Sequence, residues 1–240
     1  MKNIAIFGST GAIGQAITDE LANRYPNAHI HAISRSAPTG NLTKDNISHH
    51  QIDLQDEESL KQLARQITNE HKLDYVFVAT GTLHNDGVQP EKSLRQLSMR
   101  NFEQLFAVNT ILPAIIAKHF IPKLSKESKS VFAVLSARVG SISDNRLGGW
   151  YAYRASKSAL NMIVKTASIE TKRSNPNAIL VGLHPGTVDS ELSKPFQKNV
   201  PEGKLFTAEF SAKSLIAVTD KLASEDSGKC FDWAEVEVGA

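Results

Sequence analysis

The chain has 240 residues, 41% apolar and 22% charged, with a formal net charge of +2: the composition of one globular domain with a large core, lacking the basic footprint of a nucleic-acid binder or of a protein held on an anionic membrane. The single cysteine, Cys230, excludes an internal disulfide and a cysteine-based metal cage, and fits a reducing, cytoplasmic setting. The N-terminal apolar run breaks into glycines instead of continuing as a signal peptide, and no uninterrupted apolar run approaches a membrane span.

The first predicted strand, Asn3–Phe7, runs into Gly8-Ser9-Thr10-Gly11-Ala12-Ile13-Gly14, which opens a helix over Ala12–Arg24. Glycines let a backbone turn tightly and approach a pyrophosphate, and the helix end adds free N–H groups and a positive dipole end. At the first strand–helix turn this reads as a dinucleotide site. The second strand, His29–Ser34, ends in Ser34-Arg35. An acid there would bind a ribose 2′-hydroxyl; a hydroxyl and a guanidinium instead suit a 2′-phosphate, favouring NADP(H) over NAD. After the third strand, Ser48–Gln51, come Asp53 and Leu54. Asp53 either accepts from an adenine amino group or serves a turn.

A helix over Glu57–Glu70 follows, N-capped by Asp56, and then a fourth strand, Tyr75–Val78. Ala79-Thr80-Gly81 beyond it are small enough for a cofactor to lie against the strand end. Ser98 precedes a helix over Met99–Lys123 that carries Asn109. Lys123, Lys126 and Lys129 read as a solvated turn. Strands at Ser130–Leu135, Ala178–Leu183 and Lys229–Trp233 alternate with helices at Tyr151–Ser174 and Ala208–Leu222, the last capped by Thr207. Such alternation predicts an α/β fold. It is one domain, a Rossmann-type doubly wound parallel sheet of about seven strands with helices on both faces. Ligands then sit beyond the carboxyl ends of the strands.

On the helix that opens at Tyr151, Tyr153 and Lys157 are one turn apart and share a face. A phenol is a poor acid at neutral pH. An ammonium nearby favours the phenolate and lowers that pKa, as does the cationic nicotinamide of an oxidised cofactor. A tyrosine so tuned can protonate a carbonyl oxygen while hydride arrives at carbon. The pairs His29/His31 and His49/His50 lack cysteine or acidic partners at ligand spacing and read as core or strand-end histidines, so no metal site is expected. Residues 191–206 hold Pro195, Pro201 and Gly203 without clear periodicity and are predicted to form a mobile lid.

Taken in order, the Gly8–Gly14 loop, Asp53, Ala79-Thr80-Gly81, Asn109 in LFAVNTILP, Tyr153-x-x-x-Lys157 and HPGTVDSEL (184–192) resemble the short-chain dehydrogenase/reductase family over essentially the whole chain. Residues 136–161 are similar to the sniffer-like carbonyl reductases and the related C-factor cell–cell-signalling proteins. The resemblance implies Tyr153 as general acid/base. Lys157 would lower its pKa and hold the nicotinamide ribose, and Asn109 would tie Lys157 to a water-linked proton relay. Pro185, Gly186 and Val188 would shape the nicotinamide pocket. Ser190 keeps the hydroxyl where the family usually has threonine. Trp150 and Tyr151 would border the substrate. The implied activity is NADPH-dependent reduction of a ketone or aldehyde; the alternative is an NADP(H)-binding signalling protein with little catalysis. The family also implies a homodimer or homotetramer through helices 99–123 and 151–174.

Three departures stand out. Ala12 replaces a glycine of the family's compact loop, which here also reads as GxxGxxG. Ala137 stands where the substrate-orienting serine is expected, leaving Ser136 or Ser141 to supply that hydroxyl. The loop Ile142–Gly149 is longer than usual and is expected to border the substrate.

Overall fold

The structure, a computed structural model, describes residues 1–37, 44–85 and 87–239. Its main sheet is built from β1 (Asn3–Phe7), β2 (His29–Ser34), β3 (Ile47–Gln51), β4 (Tyr75–Val78), β5 (Ser130–Leu135) and β6 (Ala178–His184). Two short strands, β7 (Thr187–Val188) and β8 (Leu205–Phe206), pair with each other, and β9 (Cys230–Asp232) completes the main sheet. The order is β3-β2-β1-β4-β5-β6-β9, every neighbour parallel. This is the expected doubly wound arrangement, its chain reversing beside β1.

Apolar cores lie on both faces, which is why the strands read as unbroken apolar runs. Successive residues alternate between them. Ile4, Ile6, Tyr75 and Phe77 face α1 (Ala12–Arg24) and a later helix at Ala208–Lys221. Ala5, Phe7, Val76 and Val78 face the other side, where Phe7 meets Phe120 edge-on at 4.8 Å. That side is covered by α2 (Glu57–Gln66), α3 (Met99–Phe106), α4 (Leu112–Phe120) and α5 (Tyr151–Lys172); the helix at Ala208–Lys221 is α6. Asp56, Ser98 and Thr207 each accept a backbone N–H as N-caps.

Several expectations are corrected. The second helix stops at Gln66 rather than Glu70, because the Asn3 amide takes the carbonyls of Ile67 and His71 and holds the chain in a turn. The helix predicted over Met99–Lys123 is interrupted by a π segment at Ala107–Ile111. That 25-residue stretch is long and apolar enough to cross a membrane by composition, with mean hydropathy 1.5 in its most apolar window. Leu105, Ile116 and Phe120 are nevertheless fully buried against the rest of the domain. Lys129 is not solvated: its ammonium donates to the carbonyls of Asp220 and Leu222 at 2.7 and 2.6 Å, closing the end of α6. The Ile142–Gly149 loop is held by local contacts. Ser143 lies under Gly239, and Asp144 pairs with Arg138 at 2.6 Å.

The strand histidines form a polar chain rather than a metal centre. His31 Nδ1 meets His50 Nε2 at 3.0 Å, and His31 Nε2 meets Asn3 Oδ1 at 3.0 Å. Among the described residues no group of three or more His, Cys, Asp or Glu has metal-binding geometry. Burial, reinforced by His50 and His29, pushes His31 down to about 4. A histidine buried neutral stabilises the fold above its ordinary pKa near 6.5, and that contribution fades as pH falls from about 6.5 to 4. Thermal or urea melts across that window should show His31→Gln losing less stability than the parent, by up to about 3 kcal/mol.

Candidate active site

The glycine loop lies between the ends of β1 and β4. Gly8 has φ +78°, and a β carbon there would lie 3.0 Å from the Ala79 carbonyl. At Gly14 an added β carbon would lie 2.1 Å from the Gly8 oxygen, so only glycine lets α1 close on the loop. The N–H groups of Gly8 and Ser9 both donate to the Ile33 carbonyl, tying the loop to β2. Helix α1 starts at Ala12 with no acidic residue in its first turn, so its positive end faces the loop unopposed. Ala12 itself is exposed, so the glycine-to-alanine departure causes no crowding, while Ile13 packs against the core.

A cavity of about 580 Å³ runs along the carboxyl edge of the sheet. Gly8, Thr10, Gly11, Ser34, Arg35, Leu54, Ala79, Thr80 and Gly81 line it, as the sequence suggested. Asp53 does not. Its side chain is exposed and accepts from the Gln55 N–H at 2.9 Å, a turn role, and it is Leu54 that faces the cavity. The Ser34 hydroxyl donates to the Ser36 carbonyl, whereas Arg35 is exposed with no carboxylate partner among the described residues. Sequence reasoning missed Gln104 and Val108, which helical phase with Leu112 could have found. Thr80 Oγ1 and Gln104 Oε1 are buried without a hydrogen-bond partner. Buried polar atoms are normally paired, so these two cavity-lining groups are suited to a ligand. The glycine cradle, the open helix end and the orphaned groups together fit a dinucleotide.

Tyr153, Lys157 and Asn109 do not line this cavity; they are 8%, 3% and 0% exposed, and Asn109 and Lys157 reach its wall at Gly81. The Asn109 amide holds Thr82 by both backbone groups, accepting from its N–H at 2.9 Å and donating to its carbonyl at 2.8 Å. The π segment around Asn109 docks on α5, where Thr110 Oγ1 donates to the Ser156 carbonyl. A β carbon on Gly81 would lie 3.6 Å from Asn109 Oδ1 and 3.8 Å from Lys157 Nζ, so both groups converge on the bare backbone of Gly81. Lys157 Nζ donates to the Leu135 carbonyl at 2.8 Å and lies 6.0 Å from the Tyr153 ring centre.

Burial pushes the Tyr153 phenol up to about 12 and the Lys157 ammonium down to about 8. The expected lowering of the phenol by Lys157 is thus overridden. Desolvation disfavours the charged form of each group, and the ammonium is bonded to a carbonyl rather than to the phenol.

Ser136 and Ser141 each hydrogen-bond to groups other than Tyr153. Ser136 Oγ donates to Asn161 Oδ1 at 2.6 Å, one helical turn beyond Lys157, while Ala137 packs in the Tyr153 cluster. Strand alternation turns neighbours to opposite sides, so the serine cannot replace the alanine. Ser141 Oγ meets Ser143 Oγ at 3.3 Å and accepts from the Asp144 N–H. The last site strand positions Pro185, Gly186, Val188 and Ser190. The Pro185 carbonyl accepts from Ser211, and a β carbon on Gly186 would strike the Phe206 ring at 2.6 Å. Val188 is buried, and its carbonyl accepts from the hydroxyls of Ser190 and Ser193.

Residues 191–206 fold over the Tyr153 cluster. The Phe196 ring lies 5.0 Å from Trp150 and 5.6 Å from His84, and Trp150 lies 6.2 Å from Tyr153. His84 Nε2 meets the carbonyls of Glu191 and Leu192 at 3.2 and 3.1 Å. Sequence reasoning gave no role to His84, because its partners are more than 100 residues away.

A glycine-cradled cleft along the strand ends, with a buried tyrosine–lysine–asparagine group reaching its wall at Gly81, fits an α/β oxidoreductase architecture. The chain belongs to the short chain dehydrogenase family, whose profile matches residues 2–201. It is 31% identical over 179 residues to 1-hydroxy-2-glutathionyl-2-methyl-3-butene dehydrogenase of Rhodococcus sp. (strain AD45), covering 74% of each chain. It is also 31% identical over 146 residues to the C-signal protein of Myxococcus xanthus, covering 61% of this chain and 82% of that one. Its fold matches the carbonyl reductase Sniffer of D. melanogaster at a TM-score of 0.82 and 21% identity, covering 100% of both chains. An NADPH-bound carbonyl reductase from chicken fatty liver matches at TM-score 0.82 and 20% identity, covering 100% of this chain and 99% of that one.

Gly14→Ala should reverse the usual helix preference for alanine. Denaturant unfolding is expected to show a loss of at least about 2 kcal/mol, since the new methyl must displace the glycine loop. A neutral or stabilising result would show that the loop yields.

Proposed function

We propose that the protein reduces a ketone or aldehyde to an alcohol using NADPH. The observation that carries this reading is the convergence of Lys157 and Asn109 on Gly81, a residue of the cavity wall, with the Tyr153 ring 6.0 Å from Lys157 Nζ. The NADPH-bound structural neighbour and the carbonyl-reductase neighbours support it. When bound, the reduced nicotinamide supplies hydride to the carbonyl carbon. The end of α1 and the glycine loop would hold the pyrophosphate, Arg35 with Ser34 the 2′-phosphate, and Val188 with Ser190 the nicotinamide end.

Tyr153 donates its phenol proton to the carbonyl oxygen. Its raised pKa keeps it protonated at rest, and Lys157, with Asn109 behind it, resupplies the proton through water. The lid and the Trp150–Phe196 wall exclude bulk water from the reacting oxygen. The C-signal relative and Ala137 favour a second reading, an NADP(H)-binding signalling protein with little turnover.

Loss of NADPH absorbance with a panel of small ketones, aldehydes and quinones tests the reading. Tyr153→Phe should lower turnover by about 10²–10⁴-fold with NADPH affinity unchanged. The rate of carbonyl reduction should be flat below about pH 8 and fall above it as Lys157 loses its proton. Tight NADPH binding with no turnover on any compound would favour the signalling reading.

We also propose a homodimer or homotetramer through the helices at 99–123 and 151–172. Met99, Ile111, Met162 and Ile169 lie on them at 76%, 55%, 66% and 53% exposure, apolar side chains that a second copy would cover. Light scattering should give a mass of two or four chains, and Met162→Lys with Ile169→Lys should reduce it.

A further inference from the structure

The turn leading into α5 is held in an unfavourable conformation. Gly148, Gly149 and Trp150 have φ of +63°, +65° and +52°, three left-handed residues in a row. Glycine adopts that region freely, whereas tryptophan stays there only where its surroundings over-determine it. Two clamps do so.

One clamp is Glu91. Its carbonyl accepts from the Trp150 N–H at 2.5 Å, and its carboxyl oxygens accept from the Ala152 N–H and the Asn101 amide, each at 3.3 Å. A β carbon on Gly149 would lie 3.3 Å from the same Glu91 carbonyl, so the turn is pressed against this segment. Glu91 is 1% exposed and makes no ion pair among the described residues. The other clamp is Arg154. Its guanidinium donates to the carbonyls of Gly149, Gly148 and Val139 at 3.0, 3.1 and 3.3 Å.

Ala152 is the second residue of α5, so Glu91 caps the helix that presents Tyr153 one residue later. The Trp150 ring is the link to the substrate side, since it stands edge-on to both Tyr153 and Phe196. A buried carboxyl group binding two donors and facing no cation is costly to keep unless its geometry is used. The proton path described above does not use it.

We propose that Glu91 is a positioning residue: it holds the left-handed Trp150 and the first turn of α5, and through them sets Tyr153 and the Trp150–Phe196 wall against the substrate. The kinetic part of this inference rests on the carbonyl-reductase reading; the structural part does not. Hydrogen-bond acceptance is the operative property, so glutamine can serve. Its carbonyl accepts from Ala152 and keeps the cap, while Asn101 retains its bond to the Gln89 carbonyl.

The test uses a Trp233→Phe background, in which Trp150 is the only tryptophan. Glu91→Ala should still bind NADPH within 3-fold of the parent. Acrylamide quenching of Trp150 should rise at least 2-fold, and kcat/KM should fall at least 10-fold, with kcat reduced by the displaced Tyr153 and KM raised by the loosened wall. Glu91→Gln should stay within 3-fold of the parent in both. These readings are taken well below the melting point, where a role in stability alone would leave them unmoved. Unchanged Trp150 quenching in Glu91→Ala overturns the proposal, as does equal loss in Glu91→Gln. Should Glu91→Ala fail to fold, Glu91→Asp draws the carboxyl back by one methylene and must move quenching in the same direction, and an unchanged value overturns the proposal. If the parent turns over no carbonyl compound, the proposed reaction has failed, and the quenching comparison decides the positioning role alone.

Discussion

The site depends on a single buried amide. Asn109 is wholly enclosed, and a primary amide there must find partners for its donors and its acceptor. It finds them on Thr82, whose N–H and carbonyl it takes together, and on Ser156 Oγ at 3.3 Å. A regular α-helix over 99–123 would phase its side chains differently. The π segment absorbs one extra residue per turn just where Asn109 and Thr110 must face α5. Fixing Thr82 fixes Gly81, and the missing side chain at Gly81 leaves room for Asn109 and Lys157 to approach from two elements. The strand end, the π segment and α5 are thereby locked at one point.

Burial then decides the acid–base character of that point. Desolvation raises the Tyr153 phenol to about 12, against the phenolate, and lowers the Lys157 ammonium to about 8, against the charged form. Two opposite charges side by side would attract, but the ammonium is held by the Leu135 carbonyl, and desolvation outweighs attraction at this separation. On the proposed reading, a protonated phenol near a lysine lowered to about 8 would suit delivery of a proton. A cationic nicotinamide in the cleft would shift the balance towards the phenolate, as required for the reverse direction.

The strands were legible because each is buried on both faces. Asn3–Phe7, His29–Ser34, Tyr75–Val78 and Ser130–Leu135 agree with the sequence reading to the residue, and the glycine loop was legible because glycine is required there by contact. What escaped the sequence was set by distant partners. The early end of α2 depends on Asn3, some 64 residues away. The π segment depends on Thr82 and Ser156, and the loss of Asp53 from the cavity on its local bond to Gln55. Glu91 carries no local signal, because it sits outside any periodic element and its donors lie on α3 and α5. Ser136 was misplaced for a different reason: the choice between adjacent strand residues turns on a twist that spacing does not encode.

The displaced serine has a consequence for the chemistry of the cleft. On the carbonyl-reductase reading, Ala137 in the Tyr153 cluster removes the hydroxyl that the family usually offers at that place, and a missing donor at a developing oxyanion is worth several kcal/mol in comparable sites. Ser136 cannot be recruited cheaply, because its hydroxyl is bound to Asn161 within the packed interface of β5, β6 and α5. On that reading, more of the substrate's orientation would fall to shape. The Trp150, Phe196 and His84 rings, stacked edge to face across the Tyr153 cluster, provide a rigid apolar wall with few rotatable bonds. On the same reading, such a wall would hold a carbonyl compound by its flanks rather than by its oxygen, and would select by size and flatness.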